Sequence, residues 1–233
     1  MTIIPSGSAL QIAVNPGICT SDDFTTSMSI VGSQFVKSTG TWVVGSGNGG
    51  LDAGTAAGNT WYHVFVINRT DTNVTDVLLS TNPSSPAMPA NYTKKRRIGS
   101  VKTSSSAMWV YTQLGDEFIW QNLQSEFSNL AVPTAARQNY GLVWVPTGFQ
   151  VNAMIRASFN NSTANTTVGW SSQDEADYTF QDMGVNYTAS IPVFGRLNIR
   201  TSSGGIICCR TSNAGATISV QTYGWIDHRG RFD

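Results

Sequence analysis

Short runs rich in Val, Ile, Trp, Tyr and Phe alternate along this chain with clusters of Gly, Pro, Asn and Ser, and nowhere does a helical apolar period persist. β-branched and aromatic side chains suit the pleated, half-buried surface of a sheet. The pattern therefore predicts an all-β protein. Strands are expected over 10–14, 29–36, 41–44, 61–67, 76–79, 97–101, 108–113 and 117–121, and then over 141–145, 150–159, 167–171, 193–200, 205–211 and 217–225. Turn signals fall between them at 45–50 (GSGNGG), Asn82-Pro83, 146–148 and 203–205. Only 133–138 reads as a helix, a short one with Pro133 in its first turn.

Many short strands at this spacing point to a β-sandwich or jelly-roll-like fold, built as one unit or as two packed β subdomains. The expected division places an aromatic β module at 1–125 and a β-sandwich-like domain at 126–233. The second part opens on a clear alternation. Val151, Ala153, Ile155 and Ala157 share one face of a strand, while Asn152, Met154, Arg156 and Ser158 share the other. The glycine-rich stretch 40–58 reads as a long turn or small Ω-type loop.

Charged residues make up 12% of the 233-residue chain, about half the ~25% usual in soluble domains. Ser, Thr, Asn and Gln must wet the surface instead. So few cations give no footing for nucleic acid, which is held by many Lys and Arg that displace counterions. A formal net charge of +0 leaves little long-range repulsion between copies. Apolar runs fall well short of the ~18 residues that suggest a membrane span, so no membrane insertion is expected. The start MTIIPSGSAL lacks a basic region and is broken by Pro5, unlike a secretory signal.

The residue types that carry chemistry are sparse. His63 and His228 are the 2 histidines, and neither has zinc-type partners at close spacing. No nucleophile elbow and no phosphate-binding loop is present. Carboxylates cluster at Asp116-Glu117 and at Asp174, Glu175 and Asp177. Adjacent strand residues point to opposite faces, which leaves Asp116 and Glu117 badly placed as a hydrolytic pair. No catalytic residue, cofactor or metal ligand is expected, and the chain does not read as an enzyme.

Three groups remain as contact candidates. Lys94-Lys95-Arg96-Arg97 is the one dense charge run; it reads as a charged sheet edge that discourages pairing, or as a contact for a neighbouring subunit or anionic glycan, through Lys94, Lys95 and Arg96. Trp170, flanked by Gly169 and Ser171-Ser172-Gln173, is the tryptophan best placed to present an exposed face to a sugar. Cys19, Cys208 and Cys209 read as buried thiols, or as a bridge from Cys19 to one of the other two. Neighbours on a strand, Cys208 and Cys209 are expected to face opposite sides, which leaves room for one in the core and one outward.

The words Gly50-Leu51-Asp52-Ala53-Gly54, Thr60-Trp61-Tyr62-His63-Val64-Phe65, Thr75-Asp76-Val77-Leu78-Leu79-Ser80, Tyr92-Thr93-Lys94-Lys95-Arg96-Arg97-Ile98-Gly99-Ser100 and Gly115-Asp116-Glu117-Phe118-Ile119-Trp120 follow one another over 50–120. In this order they resemble a module of tail-fibre and other virion proteins of tailed bacteriophages and prophages. The resemblance implies a structural virion protein, assembled in the host cytoplasm and released in a particle. It implies other virion proteins as partners and a homo-oligomer, a trimer being favoured, with host-surface glycans as a further contact. It carries over no catalytic residue. The chain lacks a collagen-like or heptad shaft, so a compact appendage is expected: a fibre tip, a collar or neck component, or a capsid decoration. The alternatives are a carbohydrate-binding module and a polysaccharide-degrading tail spike.

Overall fold

The structure, a computed structural model, describes residues 1–132, 136–177 and 184–229. It is all-β: the described residues form no helix, and strands account for 55% of the chain. The chain divides into two compact units, one of Met1–Asp116 with His228–Asp233 and one of Glu117–Asp227. The division thus falls ahead of the expected 125/126 boundary, where the chain is still within one long strand.

The first unit contains β1 (Ile3–Pro5), β2 (Gln11–Val14), β3 (Gly17–Thr20), β4 (Ser27–Ile30), β5 (Phe35–Thr41), β6 (Asn48–Leu51), β7 (Trp61–Arg69), β8 (Val74–Ser80), β9 (Lys94–Lys102) and β10 (Tyr111–Leu114). Seven of them form one sheet in the order β1-β2-β5-β6-β8-β7-β9, and it is nearly barrel-shaped. β3 and β4 make a separate antiparallel hairpin. The expected strand 29–36 is therefore two strands, parted near Gly32, whose φ of 80° belongs to a turn.

The glycine-rich stretch contains a strand that its composition concealed. β6 runs parallel to both β5 and β8. A Cβ on Gly49 would stand 2.0 Å from the Thr41 carbonyl oxygen, so only glycine lets the backbones approach this closely. A fully buried ion pair fixes the loop beside it. Lys37 Nζ lies 2.9 Å from Asp76 Oδ1 and donates to the carbonyl of Val43 at 2.6 Å. Asp76 Oδ2 in turn accepts the Gly45 N–H at 2.7 Å. Each charge thereby also satisfies backbone groups that the loop would otherwise leave unpaired.

β7 and β8 show why their apolar runs are nearly continuous: from Tyr62 to Asn68 and from Asp76 to Ser80 every residue is buried, on both faces of the sheet. Phe65, Ile67, Leu78 and Tyr92 cluster there, with Trp42 and Met88 packed against them.

The second unit contains β11 (Glu117–Val132), β12 (Gln138–Gly141), β13 (Asn152–Asn160), β14 (Thr166–Ser172), β15 (Gly184–Asn186), β16 (Val193–Arg200), β17 (Ile206–Thr211) and β18 (Ala216–Ile226). One sheet runs β11-β18-β13-β16 and the other β12-β17-β14-β15, all antiparallel, giving a sandwich-like unit. β14 alternates strictly between buried and half-buried residues, as a strand with one covered face must. Phe118, Trp120 and Trp225 form an aromatic core, with Phe118 and Trp225 stacked at 4.9 Å.

Val151, Ala153, Ile155 and Ala157 are all buried, as their alternation requires. Met154 departs from its expected outward face and is also buried. A register shift against β18 falls between Met154 and Ile155, and the Met154 side chain occupies the space over Gly224, where a Cβ would meet it at 2.7 Å. The expected strand 141–145 is not one: beyond Gly141 the chain turns. The N–H groups of Val143 and Trp144 bond to the Glu126 carboxylate at 2.7 and 3.1 Å rather than to a neighbouring strand. Of the expected helix 133–138, residues 133–135 lie outside the described residues and Gln138 opens β12.

Candidate functional site

The dense charge run begins β9, the last strand in the order of the first unit's sheet. The turn of the β3–β4 hairpin packs along it, and the Asp22 N–H donates to the Lys95 carbonyl at 2.9 Å. Lys94 Nζ pairs with Asp23 and donates to Thr25 Oγ1 at 2.9 Å. Lys95 Nζ lies 2.7 Å from Asp22 Oδ2, and Arg96 Nη1 lies 3.7 Å from Asp22 Oδ1. Lys94, above all, with Ser21 and Thr25, holds the Asp23 carboxyl well below the usual carboxylate range. Lys94 and Lys95 are therefore not free charges awaiting an anionic surface. They anchor a hairpin.

Arg96 has a second setting. Together with Arg97, Ile18, Cys19, Phe24 and Arg229 it lines an open cavity of about 750 Å³ in the first unit. Ile18 and Phe24 are 70% and 72% exposed, and the Arg96 guanidinium lies 5.8 Å from the centre of the Phe24 ring. Phe24 also adopts a φ of 59°, a region a bulky side chain enters only at a cost. Arg229 Nη2 bonds Asp116 Oδ1 at 2.6 Å. Burial raises the Cys19 thiol despite the opposing pull of Arg96, so the cavity offers no activated nucleophile. Basic groups beside exposed apolar surface equip it to hold an amphipathic or anionic partner.

Trp170 corrects its expectation. It is 4% exposed and cannot serve as a sugar platform. The alternation of β14 turns Val168, Trp170 and Ser172 inward, so the immediate neighbours Gly169 and Ser171 lie on the opposite face and say nothing of the indole's surroundings.

Of the two readings of the cysteines the bridge is the one that fails: all three are free, so none joins Cys19 to Cys208 or Cys209. The reading as buried thiols holds for Cys208 and Cys209, both fully buried, while Cys19 is half-buried. Cys209 pairs in register with Trp170, and its thiol is pushed up to about 12 chiefly by burial. Cys208, on the opposite face of β17, donates to Asn139 Oδ1 at 3.1 Å, which covers it.

Of the carboxylates singled out in the sequence, Asp116, Asp174 and Asp177 are engaged. Asp174 accepts from Gln150 Nε2 at 2.7 Å and lies 3.4 Å from Arg200, while Asp177 lies 2.7 Å from Arg210. The backbone carbonyl of Glu175 accepts from Arg137. His63 is buried in β7 with Nδ1 2.9 Å from Ser100 Oγ, and His228 Nδ1 lies 3.4 Å from Asp116. Among the described residues no group of three His, Cys, Asp or Glu is placed to hold a metal.

Sequence reasoning missed Phe24, whose signal was present: a lone aromatic in the polar run Ser21-Asp22-Asp23-Phe24-Thr25-Thr26. Searched against the models of known protein families and against curated proteins, the chain matches none.

Proposed function

We propose that this chain is a structural protein of a tailed-bacteriophage particle, forming a compact appendage (fibre tip, collar or neck, or capsid decoration) that touches host-surface glycans. The reading rests on the resemblance over 50–120 and on one structural observation in its support. Four of the five words that carry the resemblance fall on β6, β8, β7 and β9, which are consecutive neighbours in one sheet. The resembling segment is thus the core of a folded unit rather than a scatter of surface residues.

Assembly into a homo-oligomer is supported by the first unit's uncovered apolar side chains, and the favoured trimer symmetry rests on the resemblance alone. Ile18, Phe24 and Val31 are 70%, 72% and 81% exposed around one hairpin. A polysaccharide-degrading spike has less to rest on, since Asp174 and Asp177 are held by Arg200 and Arg210. Immunogold labelling of intact particles tests the reading. Gold on the tail tip, neck or capsid supports it and assigns the position. Particles without gold, with the epitope shown to be accessible, overturn it.

A further inference from the structure

On the uncovered face of the second unit's β11-β18-β13-β16 sheet, Arg156 of β13 and Arg196 of β16 stand directly opposite each other in register. Like charges in that position repel. Among the described residues neither guanidinium has a carboxylate within ion-pair range; each instead lies over an aromatic ring, Arg156 over Phe194 at 5.8 Å and Arg196 over Tyr223 at 5.2 Å. Two cations are thus held side by side and unneutralised in a chain with few charges to place.

Beside them lies a concavity of about 230 Å³. Its aromatic wall is Phe194, which is 61% exposed. Ser158, Ser219 and Gln221 contribute hydroxyl and amide groups. Ser219 Oγ accepts the Asn129 N–H at 2.9 Å and keeps its own proton to donate.

We infer that this face binds an acidic sugar, its carboxylate bridging Arg156 and Arg196 and its ring lying in the concavity against Phe194. A guanidinium matches a carboxylate with paired N–H groups, and stacking on an aromatic ring fixes its orientation in advance. The serine hydroxyls and the Gln221 amide are the partners that sugar hydroxyls require, and the phenyl face suits the C–H face of a pyranose. The concavity has room for one ring. An extended peptide would need a longer groove, and a second copy of this chain would have to bring a carboxylate to the same point. The inference deepens the glycan-contact part of the proposed function and does not depend on where in a particle the chain sits.

The test is a calorimetric titration of the full chain with a uronate trisaccharide, with its methyl ester and with poly-glutamate, repeated on Arg156→Gln, Arg196→Gln and Phe194→Ala. The uronate is expected to bind wild type, and the ester or either arginine variant to weaken it by at least about tenfold, the loss of one charge-assisted hydrogen bond. Phe194→Ala is expected to weaken the uronate and the ester alike. Circular dichroism keeps unfolded variants out of the comparison. No uronate binding to wild type, binding unchanged in both arginine variants, or poly-glutamate binding as tightly as the uronate would each overturn the inference. Salt-sensitive self-association abolished by Arg156→Gln would overturn it in favour of a second copy. None of these results bears on the labelling of particles, so the site and the virion placement stand or fall separately.

Discussion

β9 in the first unit and β16 in the second are both terminal strands of their sheets, and both carry cations. Their surroundings differ in kind. Along β9, Lys94 and Lys95 meet Asp23 and Asp22 of a hairpin that packs against the edge. Across β16, Arg196 faces Arg156, and aromatic rings stand where acids might have been. The same residue type at the same kind of place serves tertiary structure when countercharges are folded against it, and offers binding capacity when they are not. The denser run in the sequence is the one whose lysines are paired.

The comparison can be broken first at its foundations. Replacing Lys37 by Met leaves Asp76 buried without its partner, and the first unit should lose about 3–5 kcal/mol in urea unfolding. A smaller effect is expected in the second unit from Gly224→Ala. A Cβ there would stand 2.3 Å from the Phe118 carbonyl oxygen, and overpacking of this kind costs about 1–3 kcal/mol. A change near that of Lys37→Met would mean that the β11–β18 pairing itself had been lost.

Arg156→Gln sharpens the contrast directly. It relieves a cross-strand repulsion of about 0.2–1 kcal/mol and forfeits a cation–π contact of about 0.5–1 kcal/mol, so stability should stay within about 1 kcal/mol of wild type. A clear loss of stability in thermal melts would show that Arg156 is held for the fold rather than for a ligand.

The smallest effect is one of pH. The Asp23 carboxyl titrates below its ordinary value because Lys94 bonds to the charged form. Its contribution is complete above the unfolded carboxylate pKa of about 3.9 and declines as pH falls from there toward the lower folded value. Protection of the amides in the β3–β4 hairpin, taken relative to the intrinsic exchange rate at each pH, should therefore fall on acidification, and Asp23→Asn should remove that dependence. Protection that falls equally in the variant would sever the hairpin from its lysine anchor.

The fold class was legible because β-branched and aromatic runs bounded by turn residues have few alternatives, and the face of 151–157 followed from period two alone. Met154 escaped because a bulge is a relation between two strands. β6 escaped because Asn48-Gly49-Gly50 has poor strand propensity and is drawn into the sheet by its neighbours. The site was less legible still. Arg156 and Arg196 lie forty residues apart in the chain, and nothing local marks them as a pair. Trp170 misled because flanking residues on a strand report the opposite face.

What the sequence by itself determined is the local grammar: extended segments, their turns and an all-β architecture. The tertiary structure alone decided which cations found acids, which cysteines were covered and which strand lay at an edge. The physical reason is range. Propensity and periodicity act between near neighbours, whereas an ion pair or a cross-strand register joins residues that only the closed sheets bring together.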